Sequence, residues 1–277
     1  MASLELGPVI SEGRTSTVYE CGADSVVKVP SAGVPADWAR FEADLCRAVY
    51  AAGLPVPEVR DLVRVDDRDA IVFERVHGPS LWQCMLAETS TIPDQARRLA
   101  SIQRELLSAG IPPGIPDFVD RLERRIEGAE PLDDADRDRA RSLANALPRG
   151  AALLHGDLHP GNVLMGDRGP VVIDWFDAAI GHPVADVVRS SMLLGPHGPV
   201  GPVHLPGATD ELLAPLHRAY LGDFDDLLSG EEGRLDAWRA VVAVGRLAER
   251  ADRDPTRLLS LWDARPDPLP AVGHTSV

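Results

Sequence analysis

The chemistry of this chain concentrates in His155-Gly156-Asp157-Leu158-His159-Pro160-Gly161-Asn162, followed by Val171-Val172-Ile173-Asp174-Trp175. An apolar strand, Ala151-Ala152-Leu153-Leu154, leads to Asp157, a polar loop reaches Asn162, and a second apolar strand ends in Asp174. The spacing brings a carboxylate, an amide oxygen and a second carboxylate to one small space. Those are the base and the oxygen ligands that a magnesium-dependent phosphoryl transfer requires. Asp157 would orient an acceptor hydroxyl for in-line attack, although alone an Asp after Gly is more often a turn residue. Asn162 and Asp174 turn the balance, as hard donors for a Mg²⁺ that completes its shell with water and substrate phosphates. A rival reading takes His155, Asp157 and His159 as one face of a strand binding a transition metal. Pro160-Gly161 breaks that strand at once, so His155 is expected to brace the loop by hydrogen bonds.

Lys28 is the one lysine among 28 basic residues, and it lies in the apolar run Val26-Val27-Lys28-Val29. A charge there is costly without an anionic partner. Functionally its ammonium would reach the α- and β-phosphates of a nucleotide, held by an acid on the following helix, with Glu42 the best candidate. Otherwise it is a strand lysine extending to water. The turn Ser11-Glu12-Gly13-Arg14-Thr15-Ser16 holds small residues, Ser11, Gly13 and Ser16, that let backbone amides approach phosphate oxygens. An ordinary hairpin turn reads the same way. At the end of Ile71-Val72-Phe73-Glu74-Arg75-Val76, backbone groups of Glu74 and Val76 could pair with an adenine edge.

The elements that must position these residues follow from periodicity and turn signals. Short β-prone runs span Leu4–Ile10, Thr17–Cys21 and Ser25–Val29. Ala36–Ala52 has helical spacing, with Trp38, Phe41, Leu45 and Val49 on one face and Gly53 as its C-terminal stop. Val59–Val65 and Ala70–Val76 form a hairpin. Helices are expected at Ser80–Glu88, Pro93–Ala109, Pro116–Glu127, Asp133–Leu147, Pro183–Leu194, Thr209–Leu221, Glu231–Asp252 and Pro255–Ala264, with a loose tail over the last dozen residues. The expected division is a sheet-rich nucleotide-binding lobe, residues 1–76, and a helical catalytic and acceptor-binding lobe, residues 77–277. Two lobes imply a cleft, where ligands favour binding.

Composition narrows the partners. A net charge of −15 and a pI near 4.9 speak against nucleic acid and anionic membrane and favour cationic small molecules, unless the acidity serves solubility alone, the more common case. Cys21, Cys46 and Cys84 fit no zinc spacing and read as reduced thiols, which with no secretory pattern or membrane-length apolar run gives a cytoplasmic expectation.

Together these residues resemble the aminoglycoside phosphotransferase and choline kinase family, the small-molecule branch of the protein-kinase-like fold. The match covers roughly Leu6 to Arg189, and H-G-D-L-H-P-G-N with V-I-D-W is its most specific part. The resemblance implies a bilobal α+β fold, with a small N-terminal antiparallel sheet lobe carrying one helix and a larger, mainly helical C-terminal lobe. It implies Asp157 as catalytic base, Asn162 and Asp174 as magnesium ligands, Lys28 paired with Glu42 on the phosphates, and Glu74–Val76 as the adenine hinge. Gly181-His182-Pro183-Val184-Ala185-Asp186 resembles the segment whose Asp supports the catalytic loop from beneath, a structural role for Asp186. Departures separate the chain from protein kinases. Ser11 and Ser16 replace the outer glycines of G-x-G-x-x-G-x-V, Gly156 and His159 stand where Arg and Lys are usual, and Trp175-Phe176 replaces Phe-Gly.

The expected reaction is transfer of the γ-phosphate of ATP or GTP to a hydroxyl of a small, cationic acceptor, first an aminoglycoside or related amino-sugar antibiotic. Choline, another amino alcohol, a sugar or an amino-acid metabolite are alternatives, as is a nucleotide-binding protein without transfer activity. Asp177, Glu231, Glu232 and Asp236, with Trp238 or Trp262 as an aromatic face, are candidates for holding a cation, unless they form a solvated helix surface.

Overall fold

β-Branched runs near the N-terminus form strands β1 (Val9–Glu12), β2 (Ser16–Glu20) and β3 (Ser25–Pro30), followed by helix α1 (Trp38–Ala51) and the hairpin β4 (Val59–Val65) and β5 (Arg68–Glu74). In the computed structural model, which describes residues 6–195, 205–249 and 255–266, these strands form one sheet in the order β1-β2-β3-β5-β4. Every neighbouring pair is antiparallel. The β4–β5 loop is tighter than the sequence suggests: Val65 pairs with Arg68, and Asp66 and Asp67 both take positive φ. A two-residue hairpin turn of that hand demands this, and Asp tolerates it. The expected first strand begins outside the described residues, and the expected tail lies outside them after residue 266.

Lys28 pairs with Val18 on one side and Ile71 on the other, in the middle of the sheet. Its neighbours Val27 and Val29 pack with Val65, Ala70 and Val72 on one face, so alternation sends Lys28 to the other. Helix α1 buries Trp38, Glu42, Leu45 and Val49 along one stripe, which puts a carboxylate on an otherwise apolar face. Gly53, at φ +80, ends the helix. Its N–H bonds Tyr50 O and that of Leu54 bonds Val49 O, the paired bonds that a left-handed glycine makes possible.

Further along the chain come α2 (Leu81–Ala87), α3 (Ile92–Leu107), α4 (Phe118–Glu127), α5 (Asp134–Ala146), β6 (Ala152–Leu154), β7 (Val163–Gly166), β8 (Gly169–Val172) and β9 (Ala179–Gly181). Then follow α6 (Pro183–Leu194), α7 (Asp210–Gly222), α8 (Asp225–Ser229), α9 (Leu235–Leu247) and α10 (Thr256–Asp263). Helix α4 starts two residues later than expected, because the Asp117 carboxylate accepts from Val119 N and Asp120 N as its N-cap. The helix expected from Glu231 opens as a 3₁₀ turn, Glu232–Arg234, before α9, and its expected end lies outside the described residues.

Two compact units result. The first gathers residues 6–84, 110–115 and 160–178, and the second 85–109, 116–159 and the described residues from 179 onward. The β7–β8 hairpin therefore belongs with the sheet that carries Lys28. The second unit packs α4, α5, α6 and α10 around α9, whose residues 240–247 are all buried. Cys21, Cys46 and Cys84 are unpaired. Among the described residues no helix is long and apolar enough to cross a membrane.

One close approach is testable. Gly78 has φ +151, and a Cβ there would stand 2.0 Å from the Met165 carbonyl oxygen of β7. Gly22, at φ +71, has nothing within 4 Å of its Cβ position. By chemical denaturation Gly78→Ala should cost about 2–4 kcal/mol and Gly22→Ala about 1 kcal/mol. Equal costs would contradict the packing of residue 78 on β7.

Candidate active site

In the first unit, the Lys28 ammonium donates to Glu42 Oε1 at 2.6 Å and to Asp174 Oδ1 at 2.9 Å. It also lies 4.8 Å from the Trp38 ring centroid. Trp38 stacks on Phe176 at 5.2 Å and Phe41 meets the same ring edge-on, so aromatic packing ties α1 to the segment after Asp174. Burial alone would lower the Lys28 pKa, but Asp174 and Glu42 outweigh it and hold the ammonium above its ordinary value. Burial pushes Glu42 up to about 7 against the pull of Lys28. Its Oε2 is buried and accepts no hydrogen bond, so this carboxylate is sustained by one cation alone.

The β7–β8 hairpin explains the spacing of the other two groups. Val163 pairs with Val172, and Ile173 N donates to Asn162 O at 3.0 Å, which sets the backbones on either side of the hairpin together. Asp174 takes a left-handed conformation, φ +65, sparsely populated for a residue with a side chain and common where function requires it. Trp175, fully buried, donates from Nε1 to Val172 O and braces the turn. Asn162 is buried, whereas the Asp174 side chain stays 40% exposed. An amide oxygen and a carboxylate are hard oxygen donors, the kind that magnesium takes; no group of three or more His, Cys, Asp or Glu able to hold a metal occurs among the described residues. Magnesium takes few protein ligands and fills its shell with phosphate and water.

Other expected groups are placed less tightly. Ser11 and Gly13 are exposed at the β1–β2 turn, which Gly13 N closes on Ser16 O at 2.8 Å, and Ser16 is buried. Glu74 N already donates to Glu58 O, and its carboxylate pairs with Arg168. Val76 is half-buried beside Gly166.

Asp157 belongs to the second unit. His155 Nδ1 accepts from Asp157 N at 3.2 Å, the bracing role expected of that histidine. His155 N and Gly156 N both donate to the Asp186 carboxylate, at 3.2 and 2.7 Å. Gln103 also donates to Asp186, and Tyr220 donates to Gln103, with all three side chains buried. Asp157 Oδ1 accepts from Arg189 Nη2 at 2.8 Å, and the same nitrogen donates to Glu249 Oε2 at 3.0 Å. Sequence reasoning passed over Arg189 and Glu249. The signal for Arg189 was a charge at the end of the apolar run Val187-Val188, the same kind that singled out Lys28.

The residues offered for holding a cation do not form such a site in the second unit. Glu231 is buried and accepts from Arg234 and from Trp238 Nε1. Trp238 is buried and stacked on His182, and Trp262 is buried under Arg265. Asp236 pairs with Arg239 at the surface. The cause is α9 itself: as the central helix of its unit it turns its tryptophan inward.

The first unit thus carries a strand-borne ammonium between two carboxylates and, at the end of a hairpin, an Asn and an Asp. Residues 7–225 match the model of the phosphotransferase enzyme family, and the chain belongs to that family. By that family it is a phosphotransferase. No curated protein matches it significantly by sequence. Among solved structures, a thermostable mutant of the aminoglycoside phosphotransferase APH(4)-Ia in apo form is 20% identical with a TM-score of 0.64, over 94% of this chain and 93% of that one. A further variant of that thermostable mutant, solved in ternary complex with AMP-PNP and hygromycin B, gives 19% and 0.62, over 93% and 92%. A choline/ethanolamine kinase family protein from Mesorhizobium loti gives 18% and 0.57, over 93% and 88%. At these identities the likeness establishes the bilobal α+β, protein-kinase-like fold.

Glu249 offers a pH test. Burial would raise its carboxyl, but Arg189, Arg125 and Arg246 together hold it down, from an ordinary 4.5 to about 2. A depressed acid adds stability above its unfolded pKa and loses it as pH falls through the folded one. Glu249→Gln should thus be less stable than wild type by about 3 kcal/mol at pH 7, and the gap should shrink as pH drops below 4.5. A gap unchanged between about pH 7 and pH 3, followed by urea denaturation, would contradict it.

Proposed function

We propose that this chain transfers the γ-phosphate of ATP or GTP to a hydroxyl of a small, cationic acceptor, in the first instance an aminoglycoside or related amino-sugar antibiotic. The observation that carries the reading is the Lys28 ammonium between Glu42 at 2.6 Å and Asp174 at 2.9 Å. A fixed cation beside a carboxylate still open to solvent suits a triphosphate and its metal. In this reading Lys28 binds the α- and β-phosphate oxygens and Glu42 keeps the ammonium aimed. Backbone amides around Ser11, Gly13 and Ser16 approach the phosphates, and Glu74 and Val76 offer backbone groups to the base. Asn162 and Asp174 would hold magnesium, whose contribution when bound is neutralisation of the phosphate charge. Asp157 accepts a hydrogen bond from the acceptor hydroxyl. As the new O–P bond forms and the bond to the leaving diphosphate oxygen breaks, the hydroxyl proton passes to Asp157. Most of the acceleration is positioning and charge stabilisation.

Support for a cationic acceptor comes from the net charge of −15 and from the relative solved with AMP-PNP and hygromycin B. Choline, another amino alcohol, a sugar or an amino-acid metabolite are the alternatives, among which the fold does not choose. Nucleotide supply and three unpaired cysteines suit the cytoplasm. With an aminoglycoside as acceptor, the physiological outcome is antibiotic resistance.

The test is mass gain on acceptors. Wild-type protein with magnesium and ATP or GTP is expected to add one phosphate to an acceptor in a panel of aminoglycosides, choline analogues, sugars and amino acids. Asp157→Ala should lower kcat by about two to four orders of magnitude. Nucleotide binding with no mass gain on any acceptor would instead favour a binding protein without transfer activity.

A further inference from the structure

Helix α6 grips the loop that carries Asp157 with two side chains three residues apart, hence on one face of the helix. Asp186 accepts from the N–H groups of His155 and Gly156. Arg189 supplies the opposite polarity: its Nε donates to Gly156 O at 3.0 Å and its Nη2 to Asp157 Oδ1 at 2.8 Å. Two bonds from one planar guanidinium, to a carbonyl and to the carboxylate of the next residue, fix the Asp157 backbone and side chain together. The Arg189 side chain is 6% exposed and that of Asp157 16%. A guanidinium so shielded needs more negative charge than one carboxylate already engaged in chemistry can give. Glu249 supplies it, accepting from the same Nη2 and pairing with Arg246 and Arg125.

We propose that Arg189 is the positioning residue for the phosphoryl transfer, setting the angle at which the Asp157 carboxylate meets the acceptor hydroxyl, with Glu249 as the anchor that fixes Arg189. The inference rests on the reading of Asp157 as the base. It assigns to α6 a second task beyond holding the loop backbone: orientation of the reacting carboxylate. Arg189 touches neither acceptor nor nucleotide in this scheme. Its loss should slow the chemical step and leave nucleotide binding alone.

The probe is phosphate release from Mg·ATP to water, in parallel with transfer to whichever acceptor gains mass, on the full chain. Arg189→Met is expected to lower kcat by about 10- to 100-fold, with KM for Mg·ATP and Kd for Mg·AMP-PNP within about twofold of wild type. A variant that fails to fold for want of a charge beside Glu249 is covered by Arg189→Lys, which keeps the charge but lacks the planar fork that bonds Gly156 O and Asp157 Oδ1 together. That lysine variant should resist urea about as well as wild type while kcat stays low. Recovery of wild-type kcat in it would overturn the inference, since Arg189 would then serve only to neutralise Glu249. An Arg189→Met variant with unchanged kcat, or with kcat and Mg·AMP-PNP affinity falling together, would overturn it as well. Failure of the underlying reading looks different: wild type would release no phosphate, or Asp157→Asn would turn over like wild type.

Discussion

One buried ammonium organises the polar cluster of the first unit. Lys28 sits mid-sheet on a strand whose neighbours are valines, where a lone charge would cost several kcal/mol. Two carboxylates make the position tenable. Glu42 comes from the stripe of α1 that packs on the sheet, and Asp174 from the end of the β7–β8 hairpin. Three elements distant in sequence are thus fixed by one Nζ atom. The cluster holds one positive and two negative charges, a net of −1, which favours a further cation beside Asp174. The aromatic contacts of Trp38, Phe41 and Phe176 hold α1 and the post-Asp174 turn in the register this ion pair needs.

The segment 155–162 passes from the second unit to the first. At its start, α6 holds backbone N–H groups through Asp186 and the carbonyl and carboxylate of residues 156 and 157 through Arg189. At its end, the hairpin takes over through the Ile173 N to Asn162 O bond. Within its own unit, each tied end loses freedom that loop residues otherwise keep. The tying groups are themselves satisfied by further buried partners, Gln103 and Tyr220 behind Asp186, and Glu249 behind Arg189.

Much of this was legible because a charge in an apolar run is an anomaly with few remedies. Lys28 in Val26–Val29 and Glu42 beside Leu45 each announced a partner, and the structure joins them. Asn162 and Asp174 were legible from apolar runs bounded by polar residues, which a hairpin resolves. Arg189 carried the same signal in Val187-Val188-Arg189 and was missed, because its partner Glu249 lies 60 residues on and no local pattern couples them. The tryptophans failed differently. Trp238 sits among alternating charges that suggest a surface, yet α9 is surrounded by helices, and only tertiary packing decides which face is inside. Short elements such as β9 and α8 carry too few residues for periodicity to register.

The account stands or falls on whether Lys28 and Asp174 together recruit a metal-bound triphosphate. Calorimetric titration of AMP-PNP into the protein, with magnesium and with the metal chelated, measures this directly. Magnesium should tighten binding strongly in the wild type, and Asp174→Asn should lose about 10- to 100-fold of that gain, while Lys28→Met weakens binding in both conditions. Affinity that ignores magnesium in the wild type and is unchanged in both variants would contradict the account.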